Sequence, residues 1–285
     1  MNTETRGYSL IDSGNGKRLE RFGAFVLARP APQALWRPRQ PAALWDAADA
    51  AFERRGQDGE WRGLDRLPPS WPVEIDGLTA LVKPTGFGHV GLFPEQAANW
   101  AFVALRAARG PRPYGVMNLF GYTGLATLYA ARAGAEVCHL DASKAVVAWA
   151  RENAAASGLA DFPVRWIVED AVKFLRREAK RGRRYHGLVL DPPAFGRGSK
   201  GEVWKIEDDL EALLAACREA LDEAAEFVIL STYSPKFTPL VLANVLSDAF
   251  GDRGGAVEAA EMTIPEADGG RSLPAGVTAR WVAKP

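Results

Sequence analysis

The chain has 285 residues, 47% of them hydrophobic and 25% charged, and its 35 basic and 35 acidic side chains leave a formal net charge of zero. This composition excludes a disordered chain and a global positive field for polyanions, and the length suits one large domain with a smaller one beside it. Two cysteines without metal-ligand spacing, no run near the ~20 apolar residues of a membrane span and no apolar leader over residues 1–13 imply a cytoplasmic protein with buried thiols and no metal.

Residues 1–76 are rich in proline, tryptophan and arginine and read as a small accessory domain. One amphipathic helix is expected over residues 42–55, where Leu44, Ala47, Ala48, Ala51 and Phe52 share a face. Interleaved arginine and tryptophan can stack on bases, although packing between small elements is the commoner fate of such residues. A turn at Asp76-Gly77 then opens a hairpin of strands 78–83 and 89–93. Pro94 and Glu95 start a helix that runs to about Arg109.

Residues 115–120 form a short apolar run that suits a buried parallel strand. Gly121 and Gly124 permit a tight turn, and Thr123 can cap a helix over residues 125–132. A second strand, 136–140, ends on Asp141, about twenty residues after the turn, the spacing of a nucleotide-binding half of a doubly wound fold. Neither a G-x-G-x-x-G nor a G-x-x-x-x-G-K-[ST] pattern is present, and bulky Phe120 and Tyr122 flank Gly121, so the turn suits a nucleoside without phosphates.

Strand and helix then alternate. Ser143 can cap a helix over 144–157, strand 164–168 ends at Glu169 and Asp170, and Asp170 can cap the next helix. Strand 185–190 ends at Asp191, a glycine-bearing loop leads to a helix over 206–221, and strand 227–230 ends at Ser231, Thr232, Tyr233 and Ser234. A helix near 237–250 and strands 257–264 and 277–282 complete an α/β doubly wound sheet, with domains 1–76 and 77–285.

Ligands of open α/β sheets bind outside the carboxyl ends of the strands. There Asp141 can accept from both hydroxyls of a ribose, Asp170 can accept from an adenine amino group, and Ala142 and Ala171 can flank the ring. Carboxylates are also the right sign for a cationic cofactor. The sharpest motif is Asp191, Pro192, Pro193, Ala194 and Phe195: successive prolines stiffen the turn and remove two donors. The lip presents acceptors that can hold an amino or ring N–H, and Phe195 offers a stacking face.

The segment 118–124, with Asp141, Asp170 and the Asp191–Pro192–Pro193–Phe195 lip, resembles the class I S-adenosylmethionine-dependent methyltransferases over about residues 77–285. Thr85 to Phe93 and Gln96 resemble the ribosomal RNA large-subunit enzymes that modify cytosine C5 or guanine N7. The resemblance implies a seven-stranded Rossmann-like sheet with a terminal antiparallel strand, S-adenosylmethionine as cofactor and ribosomal RNA as partner. It implies cofactor contacts from His89, Phe93, Gln96, Asn118, Phe120, Gly121, Tyr122, Thr123, Gly124, Asp141, Ala142, Ser143, Asn153, Asp170, Ala171 and Asp191. Two departures stand out: Glu95-Gln96-Ala97 replaces the family's Asp-Gln-Arg, and the amino-terminal RNA-binding domain of the pseudouridine-synthase-associated type is absent or truncated.

The C5 enzymes attack the ring with a cysteine from the loop after the fifth strand, but here that loop is Ser231, Thr232, Tyr233 and Ser234. Cys138 and Cys217 fall at core positions, so direct in-line transfer is expected, with Asp191 orienting the nucleophile or accepting its proton. Arg197, Lys200, Lys205, Lys236 and Arg271 are candidates for substrate contact at the rim. The basic cluster from Lys173 to Arg184 reads as a solvated face or a remote RNA contact, on the side away from the cofactor, rather than as a catalytic group. Alternatives are a methyltransferase for a protein or small molecule, and a non-catalytic RNA-binding module.

Overall fold

The computed structural model describes residues 7–55, 58–197 and 203–284. It contains two compact units, Met1–Glu95 with Thr263–Ala275, and Gln96–Met262 with Gly276–Pro285.

The amino-terminal unit is mostly β. Strands β1 (Tyr8–Gly14), β2 (Lys17–Phe22), β3 (Phe25–Pro30), β4 (Ala50–Arg55) and β5 (Asp58–Arg62) form one sheet in that order. The helix expected over 42–55 is only α1 (Ala42–Asp46); after a turn over 47–49 the chain becomes β4, which pairs with β3 on one side and β5 on the other. Ala50 and Phe52 are buried, so an alternation of period two won over the helical spacing of the same alanines. The tryptophans pack, as the commoner reading had it. The indoles of Trp36, Trp45, Trp61 and Trp71 donate to Ser13 O, Asp12 Oδ2, Thr85 O and Phe22 O at 2.9, 3.0, 2.8 and 2.8 Å.

β6 (Trp71–Ile75) and β7 (Leu78–Val82) form an antiparallel hairpin around Asp76-Gly77. The sequence-based boundary at 76/77 therefore falls inside a turn, and the partner of β7 is β6 rather than residues 89–93. The latter segment is held to the chain before it by Lys83 N to Val90 O (3.1 Å) and Thr85 N to His89 O (2.9 Å), without strand structure. Asp76 and Gly77 both take positive φ (48° and 77°), which an Asp-Gly pair tolerates.

Buried charge in this unit has a consequence for stability. Glu20 is fully buried and pairs with Arg29 at 2.8 Å. Glu95 is buried too, and its Oε2 has no hydrogen-bond partner among the described residues. Burial pushes its carboxyl up to about 7, with Arg18 opposing and Glu20 adding to the rise. A carboxyl raised on folding contributes stability that is present below its unfolded value and lost as pH rises through about 7. Between pH 4 and pH 8 the stability of Glu95→Gln relative to the native chain should therefore move by about 3 kcal/mol in favour of the variant. Denaturant melts at the two pH values check this; a difference independent of pH would refute it.

The second unit is built from α2 (Ala97–Arg109), β8 (Gly115–Leu119), α3 (Leu125–Arg132), β9 (Glu136–Asp141), α4 (Lys144–Ala156), β10 (Val164–Val168) and α5 (Ala171–Lys180). It continues with β11 (Gly187–Leu190), β12 (Phe195–Arg197), β13 (Val203–Lys205), α6 (Ile206–Ala220), β14 (Phe227–Thr232) and α7 (Pro239–Phe250). Most of β15 (Ala256–Pro265) and β16 (Ser272–Val282) also belongs to it; the turn between them belongs to the first unit. The sheet order is β10-β9-β8-β11-β14-β16-β15, parallel from β10 to β14, with β16 antiparallel to β14. This is the expected seven-stranded doubly wound sheet.

Both faces of that sheet are covered, which explains the continuous apolar runs of its strands. Met117, Leu119, Cys138, Leu140, Leu188, Leu190, Val228 and Leu230 pack with side chains of α5, α6 and α7. Their strand neighbours Val116, Val137, Val189 and Ile229 pack with Val103 and Ala107 of α2 and Ala130 and Ala131 of α3. β8 and β11 lie side by side at the centre, so the ends that carry Phe120–Gly121 and Asp191 emerge next to each other.

Candidate functional site

The turn after β8 is fixed from below. Gly121 N donates to Leu140 O and Gly124 N to Gly121 O, both at 2.9 Å. The left-handed backbone falls on Phe120 (φ 55°), Tyr122 (φ 46°) and Gly124 (φ 87°), not on Gly121. Gly121 is required for another reason: a Cβ there would lie 2.5 Å from His139 Cε1 and 2.6 Å from Nδ1. His139 is buried on β9 and cannot move aside without breaking its 2.9 Å bond to Thr127 Oγ1. Asn118 Nδ2 donates to that same hydroxyl at 3.0 Å, so Thr127 ties β8, α3 and β9 together behind the turn. Burial lowers the His139 pKa to about 3, so the ring stays neutral.

The helix that follows starts differently from expectation. Gly124, in the left-handed conformation and without a side-chain bond, is the cap of α3. Thr123 is buried one residue earlier, and its carbonyl accepts from Asn153 Nδ2 at 2.8 Å. A left-handed cap position excludes a β-branched side chain, which is why glycine holds it. Asn118 and Asn153 thus support the turn from inside the fold.

Asp141 closes β9. Its Oδ1 accepts from Ser143 N at 2.9 Å and its Oδ2 from Tyr122 N at 3.2 Å. Burial pushes its carboxyl up, opposed by these backbone bonds and one from Ala142. Ser143 caps α4, accepting from Val146 N at 3.4 Å. Asp170 caps α5 through Oδ1, which accepts from Lys173 N at 2.9 Å, and Ala171 is buried behind it. Neighbouring Glu169 is engaged by the Arg177 guanidinium. Of the three caps expected from the sequence, those at Ser143 and Asp170 are therefore present, and the Asp170 oxygen that caps the helix is committed to it.

Asp191 follows β11, and its carboxylate is not alone. Gln96 Nε2 donates to Asp191 Oδ2 at 3.3 Å and to the Tyr233 hydroxyl at 3.1 Å, while Gln96 Oε1 accepts from Asn99 Nδ2 at 2.7 Å. The Gln96 amide is thus occupied by protein partners. Pro192 and Pro193 carry the chain into a short hairpin of β12 and β13, where a plain loop was expected. Trp204 explains the lip's shape: its indole donates to Pro193 O at 2.7 Å, and its ring lies 5.3 Å from that of Phe120. Phe195 is 56% exposed, free to offer its face.

The substrate candidates divide. Lys205 Nζ lies 3.6 Å from Asp208 and Lys236 Nζ 3.1 Å from Glu207, so acids of the first turn of α6 offset both. Arg271 belongs to the amino-terminal unit, where it lies 3.6 Å from Asp12 and 3.5 Å from Glu266 and donates to Arg37 O at 3.0 Å. Lys200 and the side chain of Arg197 lie outside the described residues. His89 and Phe93 belong to the amino-terminal unit and meet edge to face at 5.3 Å. Among the described residues no group of three His, Cys, Asp or Glu side chains could hold a metal ion, and no helix is long and apolar enough to cross a membrane.

Sequence reading missed Asn99, Trp204, Tyr233 as a partner of Gln96, and Arg280. Asn99, on the inward side of α2 four residues before Val103, carried a signal: a polar side chain in a buried helical stripe. Trp204 carried none, because its role depends on the hairpin that brings it over Phe120.

The residues present fit an adenosine-bearing sulfonium. Asp141 accepts backbone bonds from Tyr122, Ala142 and Ser143, which leaves acceptor capacity on a carboxylate with about four lone-pair sites, and the neighbouring strand ends carry further acids.

No family model matches the chain. It is 33% identical to ribosomal RNA large subunit methyltransferase I of Shewanella denitrificans over 153 residues, 53% of this chain and 35% of that protein. It is 27% identical to ribosomal RNA large subunit methyltransferase K/L of Shewanella frigidimarina over 178 residues, 62% of this chain and 24% of that protein. The chain therefore spans well under half the length of these curated relatives. The crystal structure of the SAM (S-adenosylmethionine) dependent methyltransferase from Agrobacterium tumefaciens superposes with a TM-score of 0.92 at 43% identity, covering 97% of this chain and 90% of that one. SMU.776 complexed with SAH (S-adenosylhomocysteine) superposes with a TM-score of 0.71 at 18% identity, covering 98% and 76%, a likeness of fold.

Proposed function

Because this chain belongs to the S-adenosylmethionine-dependent methyltransferases, we propose that it methylates a base of ribosomal RNA by direct in-line transfer, without a covalent enzyme adduct. The observation that carries the direct route is Asp191 on its proline-stiffened lip, held by Gln96, with no cysteine in the loop that follows β14. The ribosomal RNA assignment draws on the names of the curated relatives. Bound S-adenosylmethionine supplies an electrophilic methyl group on a sulfonium.

The chain's own residues account for the rest. Asp141 holds the ribose hydroxyls, and the turn from Phe120 to Gly124 lets the backbone approach the nucleoside. Asp191 orients the acceptor nitrogen or oxygen and accepts its proton, while the exposed Phe195 face stacks on the acceptor ring. Burial pushes the Cys138 thiol up to about 11 and the Cys217 thiol higher still, so neither supplies a thiolate at neutral pH. The cytoplasm is the compartment that suits such a substrate.

One observation favours a second reading, with a protein or small molecule as acceptor. Lys205 and Lys236 are both offset by acids of α6, which weakens the phosphate contacts expected of them. Methyl-labelled S-adenosylmethionine, incubated with the enzyme and with separated RNA and protein fractions of cells lacking it, distinguishes the two. Label is expected in the large-subunit ribosomal RNA; label confined to protein or to small molecules would overturn the RNA assignment.

A further inference from the structure

Arg280 can only donate hydrogen bonds. Its Nε and Nη2 both point to Asn99 Oδ1, at 2.9 and 2.7 Å. The oxygen of Asn99 must therefore face Arg280, and its Nδ2 must face the other way, toward Gln96 Oε1 at 2.7 Å. With its oxygen so taken, Gln96 turns Nε2 to Asp191 Oδ2 and to Tyr233. The remaining neighbours agree with this direction. Met262 Sδ, 3.9 Å from Asn99 Nδ2, only accepts, and Thr278 Oγ1, 3.2 Å from it, donates its own proton to Leu230 O at 3.4 Å and so accepts as well. Ser231 Oγ, 3.2 Å from Asn99 Nδ2, is a hydroxyl that can donate to Gln96 Oε1 at 3.4 Å. An amide has nearly the same outline either way round, so neighbours alone decide which end points where. Here a charged obligate donor on one side of Asn99, with acceptors on the other, orients two amides in succession.

We propose that Arg280, Asn99 and Gln96 form a polarity relay that keeps an N–H donor turned to Asp191, which makes both amides positioning residues for methyl transfer. The proposal rests on the reading of Asp191 given above. A half-buried guanidinium is costly where an apolar side chain would pack, and Arg280 bears that cost with Glu258 as its opposing charge and the Phe102 ring 4.8 Å away. Gln96 is the first residue of the second unit and leads directly into α2, so the relay joins that helix to β16 and to the loop after β11. The titratable side chains around it are Tyr233, which shares the Gln96 amide with Asp191, then Arg280 and Glu258.

Asn99→Asp tests the relay with almost no change of shape. The introduced carboxylate would still pair with Arg280, but it would offer an acceptor to Gln96. The Gln96 amide must then turn over, and its oxygen would face the Asp191 carboxylate. Carbon-detected NMR of Asp191 needs no acceptor substrate and reads this directly. The Asp191 carboxyl is expected to titrate about one unit higher in Asn99→Asp than in the native chain, because a donor to the charged form has become an acceptor. With S-adenosylmethionine and total ribosomal RNA from cells lacking the enzyme, kcat should fall about tenfold or more while cofactor affinity holds. Arg280→Gln, whose amide can present either end, should give a smaller shift in the same direction. It also serves if Asn99→Asp fails to fold. An Asp191 titration unchanged in a folded variant would overturn the relay. A shifted titration in an enzyme that tolerates Asp191→Ala would keep the relay and instead remove the catalytic reading of Asp191.

Discussion

Asp141→Ala is expected to weaken S-adenosylmethionine binding by at least about a hundredfold in calorimetry. Hydrogen bonds to a charged acceptor contribute about 1.5–3 kcal/mol each, and a ribose offers two hydroxyls to this carboxylate. The substitution does more than remove those acceptors, since Tyr122 N donates to Asp141 Oδ2 and Tyr122 holds a left-handed backbone. Asp141→Asn separates the effects. It keeps an acceptor for Tyr122 or Ser143 and loses the charge, so a loss of about tenfold is expected. Equal affinities of Asp141→Ala and the native enzyme would remove the ribose assignment.

Asp191→Ala is expected to leave the cofactor dissociation constant within about twofold while methyl transfer falls by about 10²–10⁴. The separation follows from position. Asp141 ends β9 and Asp191 follows β11, with β8 and its glycine turn between them. The lip itself should survive the substitution, because its shape rests on two prolines and on the Trp204 bond to Pro193 O rather than on the carboxylate. Full activity of Asp191→Ala with intact cofactor binding would exclude a part for this residue in proton transfer or orientation.

The parallel sheet was legible because nothing in it competes. Strands such as Gly187–Leu190 and Phe227–Thr232 are short and wholly buried, the first apolar throughout and the second over its first four residues, and each is followed by a turn and a helix of clear period. The caps at Ser143 and Asp170 were legible for the same local reason: a side-chain oxygen stands three residues before the N–H that it accepts from. Residues 42–55 were not. Their alanines satisfy a helical face and a strand alternation about equally, and pairing with β3 and β5 decided between them. β7 was assigned the wrong partner because both neighbours are joined to it by short turns, and only the Trp71–Ile75 side completes a ladder.

In the site, the strand-end acids could be read by order alone, whereas the groups that orient them could not. Gln96 and Asn99 come from the start of α2, Tyr233 from the loop after β14 and Arg280 from β16, so the members of the network are far apart in the chain. Thr123 was expected to cap α3, but the left-handed geometry of Gly124 took that place.

By itself, then, the sequence determined the alternation of strands and helices, the glycine turn and the row of acids at the strand ends, because periodicity, capping and turn chemistry act over a few neighbouring residues. Only the tertiary structure decided that Gly121 answers to a buried histidine, that Lys205 and Lys236 are offset by acids, and which way the Gln96 amide faces Asp191. Those are matters of direction and close approach between distant segments, and hydrogen-bond polarity and steric exclusion act only once the segments have met.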